Sequence, residues 1–299
     1  MPSLKIEITR NFVEVRDLNE EVVLGRGRHA DVVLLHASVS RKHARVFQKD
    51  TEYIIEDLNS SNGLKVNGES VHSKLLEHGD TIEIGINRLF YSNEDLGIPQ
   101  RIIDLTLRPE DADTKLAVAR NLSDVAIRFV SEERYVELVQ VEIGRMLELL
   151  DFDDRERMNI ETAMNEAIGN AVRHGHQYEQ SKIVEFRYIR KPDRLIVRVA
   201  DEGPGFDYRA MLKRGMELDA VDAARQRYME GGMGGLGILM MLRCMDKVEY
   251  NNLGNEVTLS RYLTEEARQA AAPPPSDTDH EIATNDLSSS TDETQSGTD

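Results

Sequence analysis

The chain has 299 residues, 40% hydrophobic and 30% charged, which is length and composition enough for two separately cored globular domains. A formal charge of −17, from 37 basic and 54 acidic residues, argues against nucleic acid or an anionic membrane as partner. No apolar run reaches spanning length, MPSLKIEITR lacks a signal-peptide core, and the single Cys244 excludes a disulfide framework or cysteine-rich zinc site, so a cytoplasmic protein is expected.

Residues 1–94 have the period of strands. LKIEI, FVEV, EVVLG, DVVLL, ARVF, YIIED, TIEIG and RLFY alternate or run apolar for four or five residues, and turn clusters such as Asn59-Ser60-Ser61-Asn62-Gly63 and Asn67-Gly68 separate them. Short strands at this spacing predict a β-sandwich, whose loops gather at its ends. Three loops carry phosphate chemistry: Gly25-Arg26, Ser40-Arg41-Lys42-His43 and Ser61-Asn62-Gly63. An arginine fork suits a phosphate dianion, a serine hydroxyl adds a donor, and an asparagine can grip a peptide backbone. Each alone is equally a turn residue or a surface charge. The ordered set G-R, S-R-K-H, N-G and V-N-G resembles a forkhead-associated (FHA) domain. That resemblance implies a phosphothreonine-containing protein as partner, contacted by Arg26, Ser40 and Asn62 and assisted by Arg41 and Ser61, with His43 bracing its loop.

Residues 95–123, with Gly97, Pro99 and Pro109, read as a linker with room for a short strand. A mixed pattern then fills 124–265. VAIRFV predicts a strand, and Ser131 is the expected cap of a helix carrying Tyr135, Leu138, Val139, Val141 and Leu147. Residues 159–175 predict a second helix with an apolar stripe of Ile160, Ala163, Met164, Ala167, Ile168, Ala171 and Val172. Its other face aligns Thr162, Glu166, Asn170 and Arg173. A carboxylate and a carboxamide one turn apart can serve as general base and as hard oxygen ligand, although such a face is equally suited to solvent. Strands IVEFRYI and LIVRVAD, a Met- and Arg-rich stretch at 211–230, a helix from Leu236 and two closing strands complete an α/β sandwich.

Two glycine motifs join the helix. Asp201-Glu202-Gly203-Pro204-Gly205-Phe206 places a carboxylate at a strand end, where it can accept from an adenine amino group. Gly231-Gly232-Met233-Gly234-Gly235-Leu236-Gly237 opens a helix whose amino end can receive phosphates. In this order the three motifs resemble the Bergerat ATP-binding fold of the GHKL superfamily, most closely the RsbW-like anti-sigma-factor serine kinases. The resemblance implies a two-layer α/β sandwich that binds ATP and Mg²⁺ and phosphorylates a serine on a STAS-type anti-sigma-factor antagonist. It also implies homodimerisation and a sigma factor as a further partner. Glu166 would be the base, Asn170 the Mg²⁺ ligand and Asp201 the adenine acceptor, walled by Gly203 and Gly205. Gly235 and Gly237 would face the phosphates, Thr258 would lie near adenine, and 211–230 would be a lid. Met233 departs from the family, which often has an arginine there; Arg214, Arg225 or Arg227 could substitute. Residues 266–299, rich in Ala/Pro and then in Ser, Thr and acid, are expected to be a disordered tail.

Overall fold

The computed structural model describes residues 2–9, 11–18, 21–107, 111–217 and 236–271. The expected lid beyond 217, Met233, Gly235 and the tail beyond 271 lie outside the described residues.

The first domain is built from β1 (Ser3–Thr9), β2 (Phe12–Asp17), β3 (Glu21–Gly25), β4 (Val32–Val33), β5 (Ala44–Lys49), β6 (Glu52–Asp57), β7 (Leu64–Val66), β8 (Glu69–Val71), β9 (Ser73–Leu75), β10 (Thr81–Ile84) and β11 (Asn87–Ser92). One layer runs β4-β3-β5-β6-β9 and the other β2-β1-β11-β10-β7-β8. Alternation turns Leu24, Val46 and Ile55 of the first layer onto Leu4, Ile6 and Leu89 of the second, closing a dry core. The Asn67-Gly68 turn joins β7 to β8 with both residues at positive φ, 54° and 80°. Asn67 also donates to Asp80 Oδ1 (2.7 Å) and accepts from the Thr81 amide (2.8 Å), so it ties two hairpins together.

The second domain contains β12 (Arg101–Asp104), α1 (Ala112–Ala119), β13 (Asp124–Val130), α2 (Glu133–Leu147), α3 (Asp154–Asn170), β14 (Ile183–Arg190), β15 (Arg194–Asp201), α4 (Tyr208–Glu217), α5 (Leu236–Cys244), β16 (Lys247–Asn251), β17 (Glu256–Tyr262) and α6 (Glu265–Ala271). Its strands follow the order β12-β13-β14-β15-β17-β16, and the helices cover one face. In β15, Leu195, Val197 and Val199 enter the core beneath the helices. Arg194, Ile196 and Arg198 point the other way, onto a face of ion pairs.

Three points of detail differ or extend. The linker holds a short strand, β12, which pairs parallel with β13, and also a helix, α1, which packs on the core through Leu116. The stretch expected to begin the tail opens as helix α6, starting at Glu265. Ser131 does not cap α2, because its hydroxyl is engaged with His176 Nδ1 at 2.6 Å and the cap position falls to Glu132.

The two domains share one sheet. Strand β16 pairs parallel with β2, Val248 opposite Phe12 and Tyr250 opposite Glu14, to give a continuous ladder of twelve strands. The edge left open by β16 is thereby covered.

Candidate functional sites

Helix α3 starts at a capping box, in which Asp153 accepts from the Glu156 amide at 2.7 Å and Glu156 reaches back to the Asp153 amide. Its apolar stripe, Ile160, Ala163, Met164, Ala167 and Ile168, is buried against the sheet and the neighbouring helices. That burial fixes the rotation of the helix and turns Glu166 and Asn170 toward the end of β15. Glu166 is partly exposed, while Asn170 is only 7% exposed.

Arg173 is the residue the sequence reading left without a role. Its guanidinium donates to Glu166 Oε1 at 2.8 Å and to Asn170 Oδ1 at 3.3 Å. It lies flat against Gly169, where a Cβ would collide with it. The helix continues as a single π turn, Ala171–Gly175, a local widening that recurs at functional sites.

The turn after β15 packs on this π turn. A Cβ at Gly175 or Gly203 would strike the Asp201 carboxylate, so both glycines are needed for the close approach. Asp201 Oδ1 accepts from the Gly203 amide at 2.7 Å. Burial outweighs that bond and pushes the Asp201 carboxyl up to about 6. Gly205 has φ +80° and lies against the Leu253 carbonyl, two requirements that a side chain fails. His176, 1% exposed, accepts from the Glu202 amide at Nε2 (2.9 Å) and therefore presents its Nδ1 proton to Ser131. Burial lowers its pKa, as it does that of His174, whose ring packs 5.8 Å from Phe206.

Asn170, Asp201, Phe206, Tyr250, Asn255 and Val257 line a common recess. Gly237, in the first turn of α5, lies against Glu166: a Cβ there would run into its carboxylate. Successive contacts thus link Gly237 to Glu166, Glu166 through Arg173 to Asn170, and Asn170 across the recess to Asp201 and Gly203, while Gly205 turns toward the Leu253 carbonyl. Thr258 stands apart from them. Strand alternation sends Val257 to the recess and Thr258 to the opposite face, into a groove with Arg198 and Glu249. Tyr250, Asn255 and Val257 were missed: Val257 is one residue from Thr258, Tyr250 is the cross-strand neighbour of Val257, and Asn255 sits in the turn before β17.

The recess is closed down to about 10 Å³, too narrow for a purine as it stands. Its lining brings together the Asp201 carboxylate, the Phe206 and Tyr250 rings and Gly254. Among the described residues no three His, Cys, Asp or Glu side chains form a metal cluster. A Mg²⁺ here would take Asn170 as its protein oxygen, with phosphate oxygens and waters making up the rest.

The second candidate site lies at the loop end of the first domain. The Arg26 amide donates to the Ser40 carbonyl and the Gly27 amide to the Arg41 carbonyl, both at 3.0 Å. Ser40 Oγ accepts from the Ser61 amide at 3.0 Å, and Asn62 Nδ2 donates to the Ser38 carbonyl at 2.8 Å. All five residues, Arg26, Ser40, Arg41, Ser61 and Asn62, therefore meet, with both guanidinium groups exposed. His43 is fully buried beneath them. It accepts from the Ser40 amide at Nδ1 (3.1 Å) and bonds the Gly63 carbonyl through Nε2 (2.9 Å), which fixes its tautomer and joins two of the loops.

Residues 22–85 match the FHA domain family, and residues 129–261 match the histidine kinase-like ATPase domain family. The chain is 27% identical over 142 residues to the serine-protein kinase RsbW of Listeria monocytogenes, covering 47% of this chain and 88% of that protein. It is likewise 27% identical over 150 residues to the serine-protein kinase RsbW of Bacillus subtilis, covering 49% and 89%. Among solved structures, an FHA domain of Chlamydia trachomatis aligns over 31% of this chain and 98% of its own, at 27% identity and a TM-score of 0.30. The chain joins an FHA domain to a histidine kinase-like ATPase domain similar in sequence to the RsbW serine-protein kinases.

Proposed function

We propose that the protein is a cytoplasmic signalling regulator that reads phosphothreonine and phosphorylates serine. The FHA loops would take the phosphate between Arg26 and Arg41, with the Ser40 and Ser61 hydroxyls as further donors and Asn62 on the peptide backbone. The second domain would bind Mg-ATP, with Asp201 on the adenine amino group and Gly237, together with Gly235, at the phosphates. Its substrate would be a serine on a STAS-type anti-sigma-factor antagonist, and a sigma factor and a second copy of the chain would be further partners. In the transfer, the serine oxygen attacks the terminal phosphorus, Glu166 takes the serine proton, and ADP leaves. Positioning and charge neutralisation supply most of the rate in such reactions. Bound Mg²⁺ would offset phosphate charge.

The observation carrying this reading is the placement of Glu166 and Asn170 on one helix face between Asp201 and Gly237. Mixing the chain with Mg-ATP and the antagonist from its own host should yield phosphoserine, and Glu166→Gln should abolish transfer while leaving ADP binding. Transfer that is absent in the wild type, or unaltered in that variant, would sink the kinase reading.

A second reading is favoured by Arg173. Its ion pair occupies Glu166 and reaches Asn170, so ATP could set partner affinity with little transfer. Tight ATP binding without single-turnover transfer would select it.

A further inference from the structure

The β1–β2 hairpin precedes the residues that match the FHA family, 22–85, and it belongs to both cores. Leu4 and Ile6 of β1 pack in the first domain. Phe12, fully buried at the start of β2, packs in the second.

The tip of the hairpin reaches three parts of the nucleotide recess. Asn11 Nδ2 donates to the Leu242 carbonyl at 2.7 Å, in the last turn of α5, whose first turn holds Gly237. The Val248 amide donates to the Asn11 carbonyl at 2.9 Å, which starts the ladder with β16. The Phe12 ring lies 5.9 Å from Tyr208 and 6.1 Å from Tyr250. Those two tyrosines stack at 4.9 Å, and Tyr250 meets Phe206 edge-on at 5.7 Å. Phe206 and Tyr250 are themselves walls of the recess.

An ion pair fixes the same corner. Glu14, 3% exposed, accepts from Arg209 Nε at 2.6 Å. The Tyr208 hydroxyl also bonds Glu14, but Arg209 is its charge partner, and a buried carboxylate is left with an uncompensated charge when such a partner is removed. Arg209 stands in the first turn of α4, immediately after the Gly203–Phe206 wall. On the outer sheet face, Lys5 pairs with Glu249 at 2.9 Å, between the core residue Val248 and the recess residue Tyr250, which both face the helices. Beside Glu14 a cleft of about 470 Å³ separates Asp31 and Val33 of the first domain from Pro204 and Leu253 of the second. Near the nucleotide recess the contact between the domains is therefore made by the β1–β2 hairpin, through Asn11, Phe12 and Glu14.

We propose that the β1–β2 hairpin is a supporting element of the nucleotide recess, with Phe12 and Glu14 as positioning residues that hold the Phe206–Arg209 wall in place. Nucleotide affinity then depends on a segment outside the ATPase domain. The inference rests on the nucleotide-binding reading given above.

The test uses the full chain and Mg-ADP. Glu14→Gln and Arg209→Gln should each weaken Mg-ADP binding about fivefold or more in calorimetry, and the double variant should be no weaker than the worse single one. Phe12→Ala should weaken it further; should that variant fail to fold, the Glu14 and Arg209 pair still decides. Hydrogen exchange without nucleotide is the second readout. Exchange should quicken in 203–212 and 236–251 of the two glutamine variants, with β5 and β6 unchanged. Binding by the wild type and equally by every variant overturns the hairpin inference alone. Faster exchange throughout both domains also overturns it, because the hairpin would then be general fold support. Failure of the wild type to bind Mg-ADP overturns the nucleotide reading, and the inference with it.

Discussion

At Asp201 a single side chain links the fold to ligand recognition through its proton. Burial places its carboxyl at about 6, although the Gly203 amide favours the charged form. A raised carboxyl favours the protonated form in the folded protein. Its contribution to apo stability is therefore full below the unfolded value near about 4 and is lost as pH rises through about 6. An adenine amino group needs the opposite, ionised form. Mg-ADP affinity should be flat above about pH 7 and fall by up to about tenfold per unit below about pH 6. Calorimetry from pH 5 to 8 checks this, and Asp201→Asn should remove the slope that Asp201 contributes. Arg173 gives a second result at this scale. Its contact at 2.8 Å keeps Glu166 paired in the absence of substrate. The polar face read from the sequence as Thr162, Glu166, Asn170 and Arg173 is thus partly bonded within itself, and the proposed base is held by its own helix.

Helix α5 sets a local preference against a tertiary contact. Glycine in a helix interior costs about 1 kcal/mol relative to alanine, so propensity favours Gly237→Ala. The space it would fill holds the Glu166 carboxylate. The expected result is a melting temperature that is unchanged or raised, with single-turnover transfer reduced by about tenfold, the scale of a misplaced reacting group. Equal transfer rates in the two proteins would count against Gly237 as a spacer for the base. The corner between α3 and β15 follows a similar logic. Ser131 has the look of an N-cap when only its neighbours in sequence are considered. In the fold it belongs to His176, which receives the Glu202 amide, so a residue far along the chain claims the hydroxyl.

Across the whole molecule, the twelve-stranded ladder and Phe12 join the two domains through one sheet and one buried ring, which predicts a single cooperative unit. Calorimetric unfolding of the full chain should show one transition, and Phe12→Ala, costing about 3–5 kcal/mol in the ATPase core, should separate it into two. Two transitions in the wild type would mean that the shared sheet adds little coupling. The outer face of that sheet agrees with joint folding. Glu94 pairs with Lys191 and Arg194, both at 2.9 Å, and Arg187 holds the Leu96 and Gly97 carbonyls, so the connector is bound rather than loose.

Period, turn residues and short motifs were enough to predict a strand-rich FHA domain followed by an α/β ATPase domain, and to single out Glu166, Asn170, Asp201 and the FHA loop residues as candidates for the proposed roles. The reason is physical: strand and helix periods are local, and glycines mark backbone that must approach a ligand or turn left-handed. Thr258, placed near adenine by the family resemblance, faces away from the recess that Val257 lines. A strand's period says which residues share a face, but which face meets the helices depends on how the sheet packs. The β2–β16 pairing, the Glu14–Arg209 ion pair and the Phe12 ring in the second core lay equally beyond the sequence. They join residues about two hundred positions apart, and only the closed sheet, with its edge strand in need of a partner, decided that they meet.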